Sequence, residues 1–297
     1  MDIAWNDVRL FLAVAEAGSL SGAARRLRAS QPTVSRNLAE LEANLGYALF
    51  VRSVDGASLT SAGERLLQPA RRMAEWAAEV ELCAQQGEMA PRGVVRITAP
   101  PGVAFDFVAP FASYARKRLP EVTLEVLSST QYLDLTRREA DLALRMRLPE
   151  QRDLVRVTTF VHDNAAFATR TYASTLPKGY GPADIDWIGW APPLDSLPPN
   201  PQLAALIPNF RPIFASDDFL VQRNAVESGV GAMFLGRVRH RYSRPTELVA
   251  LELELGPYAK SELHLVATKS ALEVPRIRAV AELLGEELEH ALRLSKP

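Results

Sequence analysis

Residues 19–38 read SLSGAARRLRASQPTVSRNL and contain two helical segments that are separated by a short polar turn. Ser19 or Ser21 can cap the first segment, whose two adjacent alanines permit close packing. Ser30 can cap the second segment, and Pro32 stands in its first turn, where a missing N–H costs nothing. Two helices joined by a tight turn can place the second helix in the major groove of DNA.

Helical patterns flank this stretch on both sides. Residues 5–17 carry apolar side chains at the spacing of one helix face, and Gly18 follows as a C-terminal glycine. The second helix of the quoted stretch is predicted to end at Leu45. Beyond it, Asp55-Gly56 separates two short runs of apolar and polar residues, which predicts a hairpin. The order helix, short helix, helix, hairpin is that of a winged helix-turn-helix.

The helix that opens at Ser30 carries polar side chains on the side away from Val34 and Leu38. Arginine, asparagine and glutamine can form bidentate hydrogen bonds with base edges, whereas serine, threonine and a helix N-terminus suit phosphate oxygens. For such a segment in isolation, a solvated helical face is the alternative interpretation. The order of the surrounding elements favours DNA binding. The residues predicted to contact DNA here are Ser30, Gln31, Thr33, Arg36 and Asn37.

Thr60 or Ser61 is predicted to cap a long helix whose apolar residues follow a heptad spacing, the pattern of a coiled-coil seam. Packing within the chain is an alternative, but an unpaired stripe along a solitary helix would expose apolar surface to water. We therefore expect a homodimer through this helix, and two DNA half-sites follow from that. The pattern ends near Gly87. The stripe consists of Leu66, Ala70, Met73, Ala77, Val80 and Ala84.

Beyond Pro91 short apolar runs alternate with amphipathic segments, and this alternation predicts an α/β domain with largely parallel sheets. Helical patterns cover 108–118, 133–139 and 274–294. Strands are predicted at 93–99, 122–127, 141–145, 155–161, 165–169, 187–190, 213–215, 232–235 and 263–268.

Composition narrows the class of protein. A chain of 297 residues favours two domains, and a hydrophobic fraction of 47% with 23% charged residues is that of an ordinary globular protein. The net charge of −1 argues against a general polyanion binder, so DNA binding has to come from a local patch. The single cysteine, Cys83, fits a reducing compartment. We see neither a signal-peptide pattern nor an apolar run long enough for a membrane span, so we expect a cytoplasmic protein with no membrane partner.

An enzyme is not expected, because no catalytic constellation is visible. The four histidines are scattered without metal-ligand spacing, and the P-loop, GxSxG and GxGxxG patterns are absent from the sequence. We therefore predict no metal and no cofactor. The remaining alternative is a ligand-binding protein whose N-terminal helices serve only for assembly. That alternative does not account for a polar helix followed by a wing.

Several ordered motifs resemble the N-terminal part of a LysR-type transcriptional regulator. They are FLAVAEAGSLSGAARRL at 11–27, ASQPTVSRNL at 29–38, LE at 41–42, LG at 45–46, LFVR at 49–52 and LTSAG at 59–63. The resemblance continues more weakly over the whole chain. It implies that the long helix is the family's linker helix, which pairs with a partner chain. The residues it implies near DNA are Gln31, Thr33, Ser35 and Arg36, with Arg52 and the wing near the minor groove or backbone.

The same resemblance implies three segments along the chain. They are a winged helix-turn-helix at 1–62, a linker helix at 63–90 and an effector-binding domain at 91–297. The effector domain is expected to have a periplasmic-binding-protein-like fold of two α/β lobes, one at 91–160 plus 266–297 and the other at 161–265. Such lobes bind small molecules between them, at the carboxyl ends of parallel strands.

Three stretches fit those strand ends. The loop at 98–103 resembles a subgroup of the family with an Ala-Pro-x-Gly turn, and its two prolines remove backbone donors. Hydroxyl residues at 128–130 are expected to enter a helix, and Arg145 is expected to reach the cleft edge. Helix capping alone is the alternative role for the hydroxyls at 128–130 and for the carboxylate of Asp217. The predicted effector-binding residues are Pro100, Pro101, Gly102, Ser128, Ser129, Thr130, Arg145, Ser216 and Asp217.

Taken together, the resemblance implies a sequence-specific regulator that binds double-stranded promoter DNA. A homodimer is expected to assemble further into a homotetramer through its effector domains. An effector that prefers one arrangement of the lobes would then change DNA bending and the access of RNA polymerase.

Overall fold

The computed structural model describes residues 3–53, 56–84, 90–148, 153–243 and 246–295. The chain divides into two compact units, residues 1–89 and 90–297. Each unit is described by itself below. Asp55 of the predicted hairpin turn and Gly87 at the predicted end of the long helix lie outside the described residues.

The first unit contains the helices and the hairpin that the sequence predicts. Its hydrogen bonds show which of the candidate residues cap the helices. Ser19 accepts a hydrogen bond from Gly22 N–H at 3.1 Å, and Thr60 Oγ1 accepts one from Gly63 N–H at the same distance. Side-chain acceptors of this kind satisfy backbone donors that a helix start leaves free. The elements are α1 (Trp5–Ala17), α2 (Leu20–Leu27), α3 (Gln31–Leu45), β1 (Phe50–Ser53), β2 (Gly56–Leu59) and α4 (Ser61–Ala84).

One apolar core holds these elements together. Phe11 of α1, Leu38 of α3 and Leu49 before the hairpin are each fully buried. Burying a side chain of this size contributes roughly 1.5–3 kcal/mol. The buried positions of α1 and α3 repeat at helical spacing, as the sequence predicts.

Helix α4 departs from the predicted coiled-coil stripe in its first half. Ala70 is only 3% exposed and belongs to the core of the first unit, and Leu66 packs against that core. The prediction that Ala70 forms part of an intermolecular seam is therefore wrong, because its surface is already covered within the chain. Farther along the helix, Met73 and Val80 are 42% and 68% exposed, and Ala77 is partly exposed. The side chain of Ala84 lies outside the described part of the chain.

The second unit is built on a 9-stranded sheet with the order β4-β3-β5-β11-β6-β9-β7-β8 and with β10 beside β6. Strand β3 is parallel to β4 and β5, and β7 is parallel to β8 and β9, but β6 and β11 pair antiparallel with their neighbours. The sheet is therefore mixed rather than largely parallel. The strands are β3 (Gly93–Ala99), β4 (Val122–Ser128), β5 (Leu142–Arg145), β6 (Leu154–Thr169), β7 (Trp187–Trp190), β8 (Phe214–Ser216), β9 (Ala232–Arg237), β10 (Leu248–Ala250) and β11 (Lys260–Thr268).

The parallel strands at the two ends of the sheet form two lobes. The first lobe contains β3, β4 and β5, the second contains β7, β8 and β9, and β6 and β11 run between them. The two strands predicted at 155–161 and 165–169 are one continuous strand, β6, which serves both lobes. Backbone pairing to β11 along its first part and to β9 and β10 along its second part supports that length.

Helices cover the lobes. In the first lobe α5 (Pro101–Val103), a π-helical turn (Ala104–Val108) and α6 (Ala109–Arg118) follow one another. The C-terminal helix, α11 (Pro275–Ser295), packs on β3 and β6. In the second lobe α9 (Phe219–Glu227) packs on β7 and β9. The remaining helices are α7 (Arg170–Thr175), α8 (Asn200–Leu206) and α10 (Lys269–Leu272), with 3-10 turns at Pro182–Asp184 and Gly256–Tyr258.

The helix predicted at 133–139 is absent, and turns occupy its place. Asp134 Oδ1 accepts hydrogen bonds from the N–H and hydroxyl of Thr136 at 2.9 and 2.6 Å, and from Arg137 N–H at 3.3 Å. Side chains that bond to nearby backbone in this way compete with helix formation. These hydrogen bonds also lower the pKa of Asp134, the bond from the Thr136 hydroxyl most of all. The hydroxyls at 128–130 therefore lead into turns rather than into a helix.

None of the helices within the described ranges has both the length and the apolar character that a membrane span requires.

Candidate DNA-binding surface and ligand cavities

The outward face of α3 carries the polar side chains that the sequence singles out. Gln31, Arg36 and Asn37 are exposed, whereas Val34 and Leu38 on the opposite side are buried in the core. Arg36 forms no hydrogen bond or ion pair with any described residue. Its guanidinium is therefore available for a contact outside the unit, and its fork of donors matches the edge of guanine or a phosphate.

Ser30 and Thr33 form a small hydroxyl pair at the start of α3. Their side-chain oxygens lie 2.7 Å apart, and Ser30 Oγ accepts a hydrogen bond from Thr33 N–H at 3.3 Å. The pair lies at the end of the helix where the dipole is positive and N–H groups point outward. Such an end attracts an anion, so the arrangement suits a phosphate group.

Arg52 of the hairpin is fixed against α3 rather than free. Its Nη1 donates a hydrogen bond to Ser35 Oγ at 3.3 Å, and its Nη2 lies 3.5 Å from Glu42 Oε2. The other carboxylate oxygen of Glu42 accepts hydrogen bonds from the N–H groups of Leu49 and Phe50 at 2.7 and 3.1 Å. Glu42 thus ties the hairpin to the end of α3. The sequence analysis did not assign Glu42 a role, although it belongs to one of the quoted motifs.

A cavity of about 570 Å³ lies between the two lobes of the second unit. Pro101, Ser128, Ser129, Thr130 and Asp217, all of which the sequence singles out, are brought together in its lining. Its volume falls in the range of small-molecule sites. Further lining residues, which sequence reasoning missed, are Ala104, Phe105, Gln131, Leu194, Asp218, Phe219 and Leu220.

Two predicted effector residues have other roles here. Ser216 Oγ accepts a hydrogen bond from Asp218 N–H at 3.1 Å, and Asp218, not Asp217, caps α9. Arg145 is 5% exposed, donates a hydrogen bond from Nη2 to Leu133 O at 2.5 Å and lies 4.9 Å from the centre of the Tyr132 ring. Burial lowers the pKa of Arg145. The expectation that Arg145 reaches the cleft edge is therefore corrected, because the guanidinium lies within the first lobe.

Two aromatic rings contact each other across the lobes at this cavity. The rings of Phe105 in the first lobe and Phe219 in the second lie 6.2 Å apart, and both rings line the 570 Å³ cavity. A Cβ added to Gly102 would lie 3.1 Å from Phe219 Cε2, so a larger residue would fit here only if the Phe219 ring shifted. Nearby, Arg223 of α9 lies 3.8 Å from Asp106 of the first lobe. No sequence signal identifies these pairs, because each one forms only when the lobes meet.

A second, larger cavity of about 1090 Å³ also lies between the lobes. Phe105, Phe219 and Pro101 line it as well, together with the predicted residues Pro100 and Gly102. The two cavities therefore share the Phe105–Phe219 contact in their walls.

The loop that follows β9 reaches back from the second lobe to the first. Arg241 Nε lies 2.9 Å from Glu287 Oε2 of α11, a carboxylate that is 1% exposed. The His240 ring meets the Phe107 ring edge-on at 5.4 Å, and burial lowers the pKa of His240. Burial, together with the nearby Glu287 carboxylate, raises the pKa of Tyr242. This loop provides a second set of polar contacts between the lobes, and no sequence motif predicts it.

Within the described ranges, no three His, Cys, Asp or Glu side chains lie close enough together to hold a metal ion.

Comparisons with known proteins give the two units the same assignments. Residues 5–64 match the family described as bacterial regulatory helix-turn-helix protein, lysR family, and residues 89–289 match the LysR substrate binding domain. An HTH-type transcriptional regulator of Xanthomonas campestris is 36% identical over 182 residues, 61% of this chain and 53% of that protein. PtxR, a regulator of Pseudomonas aeruginosa, is 33% identical over 189 residues, 62% of this chain and 60% of that protein.

The matched stretches therefore span about half to three-fifths of these two curated relatives. Among solved structures, full-length CbnR complexed with its target DNA aligns with a TM-score of 0.62 at 20% identity, over 99% of this chain and 100% of that one. This likeness shows that the fold is shared. Because the two family matches together cover most of the chain, this protein belongs to the LysR family.

Proposed function

We propose that this protein is a sequence-specific DNA-binding transcription regulator whose activity is set by a small molecule bound between the lobes of its second unit. The observation that carries the proposal is the outward face of α3. Arg36 is exposed there and has no partner among the described residues, one turn beyond the hydroxyl pair at the helix start. A free arginine beside an anion-attracting helix end suits a DNA groove.

The hairpin supports the same proposal. Because Glu42 and Ser35 hold Arg52 against α3, the wing and the recognition helix move as one piece. A rigid pair loses little conformational freedom on binding, which favours affinity. We assign Arg52 to the backbone or minor groove beside the recognition helix.

We further propose that the protein acts as a homodimer through α4. Met73 and Val80 are apolar and exposed on this helix, and Ala77 lies between them at heptad spacing. A partner helix on that stripe would remove apolar surface from water. A dimer reads two half-sites, and a tetramer through the effector units would bring two dimers onto one promoter. Such a protein acts in the cytoplasm, where its DNA is.

The effector site is assigned to the 570 Å³ cavity. Its walls come from both lobes, so a ligand there binds one lobe arrangement better than another. A ligand shifts a conformational equilibrium only by this difference in affinity. The resulting change in subunit geometry would alter DNA bending and the access of RNA polymerase.

The test is fluorescence anisotropy with the DNA upstream of the protein's own coding region at two salt concentrations. Arg36→Ala is compared with Arg71→Ala, which removes an exposed arginine from α4. We expect Arg36→Ala to weaken binding by about 10-fold or more, since a bidentate base contact is worth about 1–3 kcal/mol. Arg71→Ala should change binding less than about twofold. Equal effects of the two variants, or no binding at low salt, would refute the proposal and leave a ligand-binding protein with assembly helices.

A further inference from the structure

The larger interlobe chamber, of about 1090 Å³, has several aromatic rings and a methionine in its wall. Phe160, Phe167, Trp190 and Met233 line it, and Phe160 and Trp190 are only 2% and 8% exposed overall. Aromatic walls favour a flat apolar guest, because rings stack or meet edge-on with a gain beyond area burial. The volume lies at the upper end of small-molecule sites, about 300–1,000 Å³.

His162 supplies a free hydrogen-bond acceptor to this chamber. Its side chain lies on β6 and is 9% exposed, and its ring lies close to Gly236, where an added Cβ would be 2.8 Å from Cε1. Nδ1 lies 3.1 Å from Asp163 O. A carbonyl oxygen only accepts, so Nδ1 carries the proton and Nε2 keeps its lone pair. No described residue donates to Nε2.

Gln222 supplies a second acceptor from the other lobe. It is 1% exposed, and its Nε2 donates a hydrogen bond to Ser216 O at 2.7 Å. That bond fixes the amide so that Oε1 is the free end, and no hydrogen bond to Oε1 comes from any described residue. Gln202 Oε1 of the same chamber also lacks a donor among the described residues, whereas the unpaired Tyr242 hydroxyl can donate or accept. Buried polar atoms are normally paired, so this excess of open acceptors favours a guest that donates.

The charges around the chamber are balanced or screened. Arg223 lies 3.8 Å from Asp106 and 2.7 Å from Glu227. Arg237, Arg239, Lys260 and Glu247 also line the chamber, but they are exposed, so water weakens their fields. A carboxylate guest would place its lone pairs against those of His162 and Gln222, which disfavours an anion.

We propose that this second chamber binds an uncharged hydroxylated aromatic compound, with its ring among the aromatic walls and its hydroxyl donating to His162 Nε2 or Gln222 Oε1. The site differs from the 570 Å³ cavity in its lining, because His162 and Gln222 line only the larger cavity. It adds a second ligand to the protein and does not depend on DNA recognition.

The test is isothermal titration calorimetry of the full chain with three matched probes. They are 2-naphthol, 2-methoxynaphthalene, which lacks the donor, and 2-naphthoate, which is anionic. We expect 2-naphthol to bind about three- to tenfold tighter than the methoxy compound, the effect of one hydrogen bond to a buried acceptor. Because this comparison uses the unaltered protein, it does not depend on how any variant folds.

Two variants test which of the two cavities binds the probe. His162→Phe keeps a ring but removes the acceptor, so it should lower 2-naphthol affinity by a similar factor and leave the methoxy compound unchanged. Ser128→Ala, in the smaller cavity, should change neither affinity. The proposal is overturned if 2-naphthol does not bind up to its solubility limit, if the methoxy compound or the naphthoate binds as tightly, or if Ser128→Ala weakens binding while His162→Phe does not.

Discussion

Glu42 Oε1 accepts a 2.7 Å hydrogen bond from the backbone N–H of Leu49. The same oxygen accepts a second bond from Phe50 N–H, and the other oxygen faces Arg52. One partly buried carboxylate therefore holds the start of the wing to the end of the recognition helix. Glu42 therefore helps to fix the wing, to which a hydrogen bond from Ala57 N–H to Gly18 O at 2.8 Å also contributes.

Replacing Glu42 with alanine should loosen the wing. Two backbone N–H groups of buried residues lose their acceptor, and an unsatisfied buried donor costs about 1–3 kcal/mol. We expect hydrogen exchange of the amides at Leu49 and Phe50 to accelerate by about tenfold or more. Glu42→Gln, which keeps one carbonyl oxygen, should give a smaller effect. Unchanged exchange in Glu42→Ala would show that other contacts hold the wing.

Replacing Arg52 should weaken DNA binding and change how strongly the affinity depends on salt concentration. Arg52→Ala removes one cation near the backbone, so the slope of log affinity against log salt should fall in magnitude by about one. Arg52→Lys keeps the charge but loses the fork that reaches both Ser35 and Glu42. It should preserve the slope while lowering affinity. The slopes are measured by anisotropy titrations across a salt series, and identical slopes for all three proteins would remove Arg52 from the interface.

Adding a methyl group at the lobe contact should separate the lobes. In Gly102→Ala the new Cβ would lie 3.1 Å from Phe219 Cε2, and overpacking of this kind costs about 1–3 kcal/mol. The matched control is Gly285→Ala in α11, where a Cβ meets nothing within 4 Å. That change should raise stability by about 0.5–1 kcal/mol, because glycine is a poor helix former. Opposite shifts in melting temperature are expected, and a stabilising Gly102→Ala would contradict the close lobe contact.

Acid should weaken the second unit partly through His240. Burial holds the pKa of His240 below its ordinary value of 6.5, so the unfolded chain binds a proton at this residue more readily than the folded one. The contribution to stability is therefore present above pH 6.5 and is lost as the pH falls below it. His240→Gln should flatten the fall in unfolding free energy between about pH 6.5 and 5. Urea unfolding at several pH values measures this, and an unchanged slope would exclude His240 as a contributor.

Much of the first unit follows from local sequence rules. Capping serines, closing glycines and the apolar spacing of α1 and α3 predict the helices, because these signals act within one or two turns. The same rules assign Ala70 to the wrong contact, because a heptad pattern does not show whether its apolar residues pack against the same chain or against a second one. The turn at Asp134 was missed for a related reason, because its side-chain bonds compete with an otherwise helical pattern.

The second unit was predicted only in outline. Strand patterns located most strands, but the merging of two of them into β6 depends on partners far away in the chain. Pro101, Ser128 and Asp217 could be predicted as cavity residues because they lie at the ends of predicted strands. Phe219 and His162 could not, because they line the cavities only once the two lobes have come together. Side chains placed by such long-range packing leave no periodic signal in the sequence.

Sequence-specific DNA binding is the central claim, and the ratio of two affinities tests it most directly. The purified full chain is titrated, at about 150 mM salt, with its own upstream DNA and with a shuffled duplex of the same length and composition. We expect the natural sequence to bind about 10³-fold tighter or more, as specific regulators do. A ratio near one, with both duplexes bound only at low salt, would contradict it.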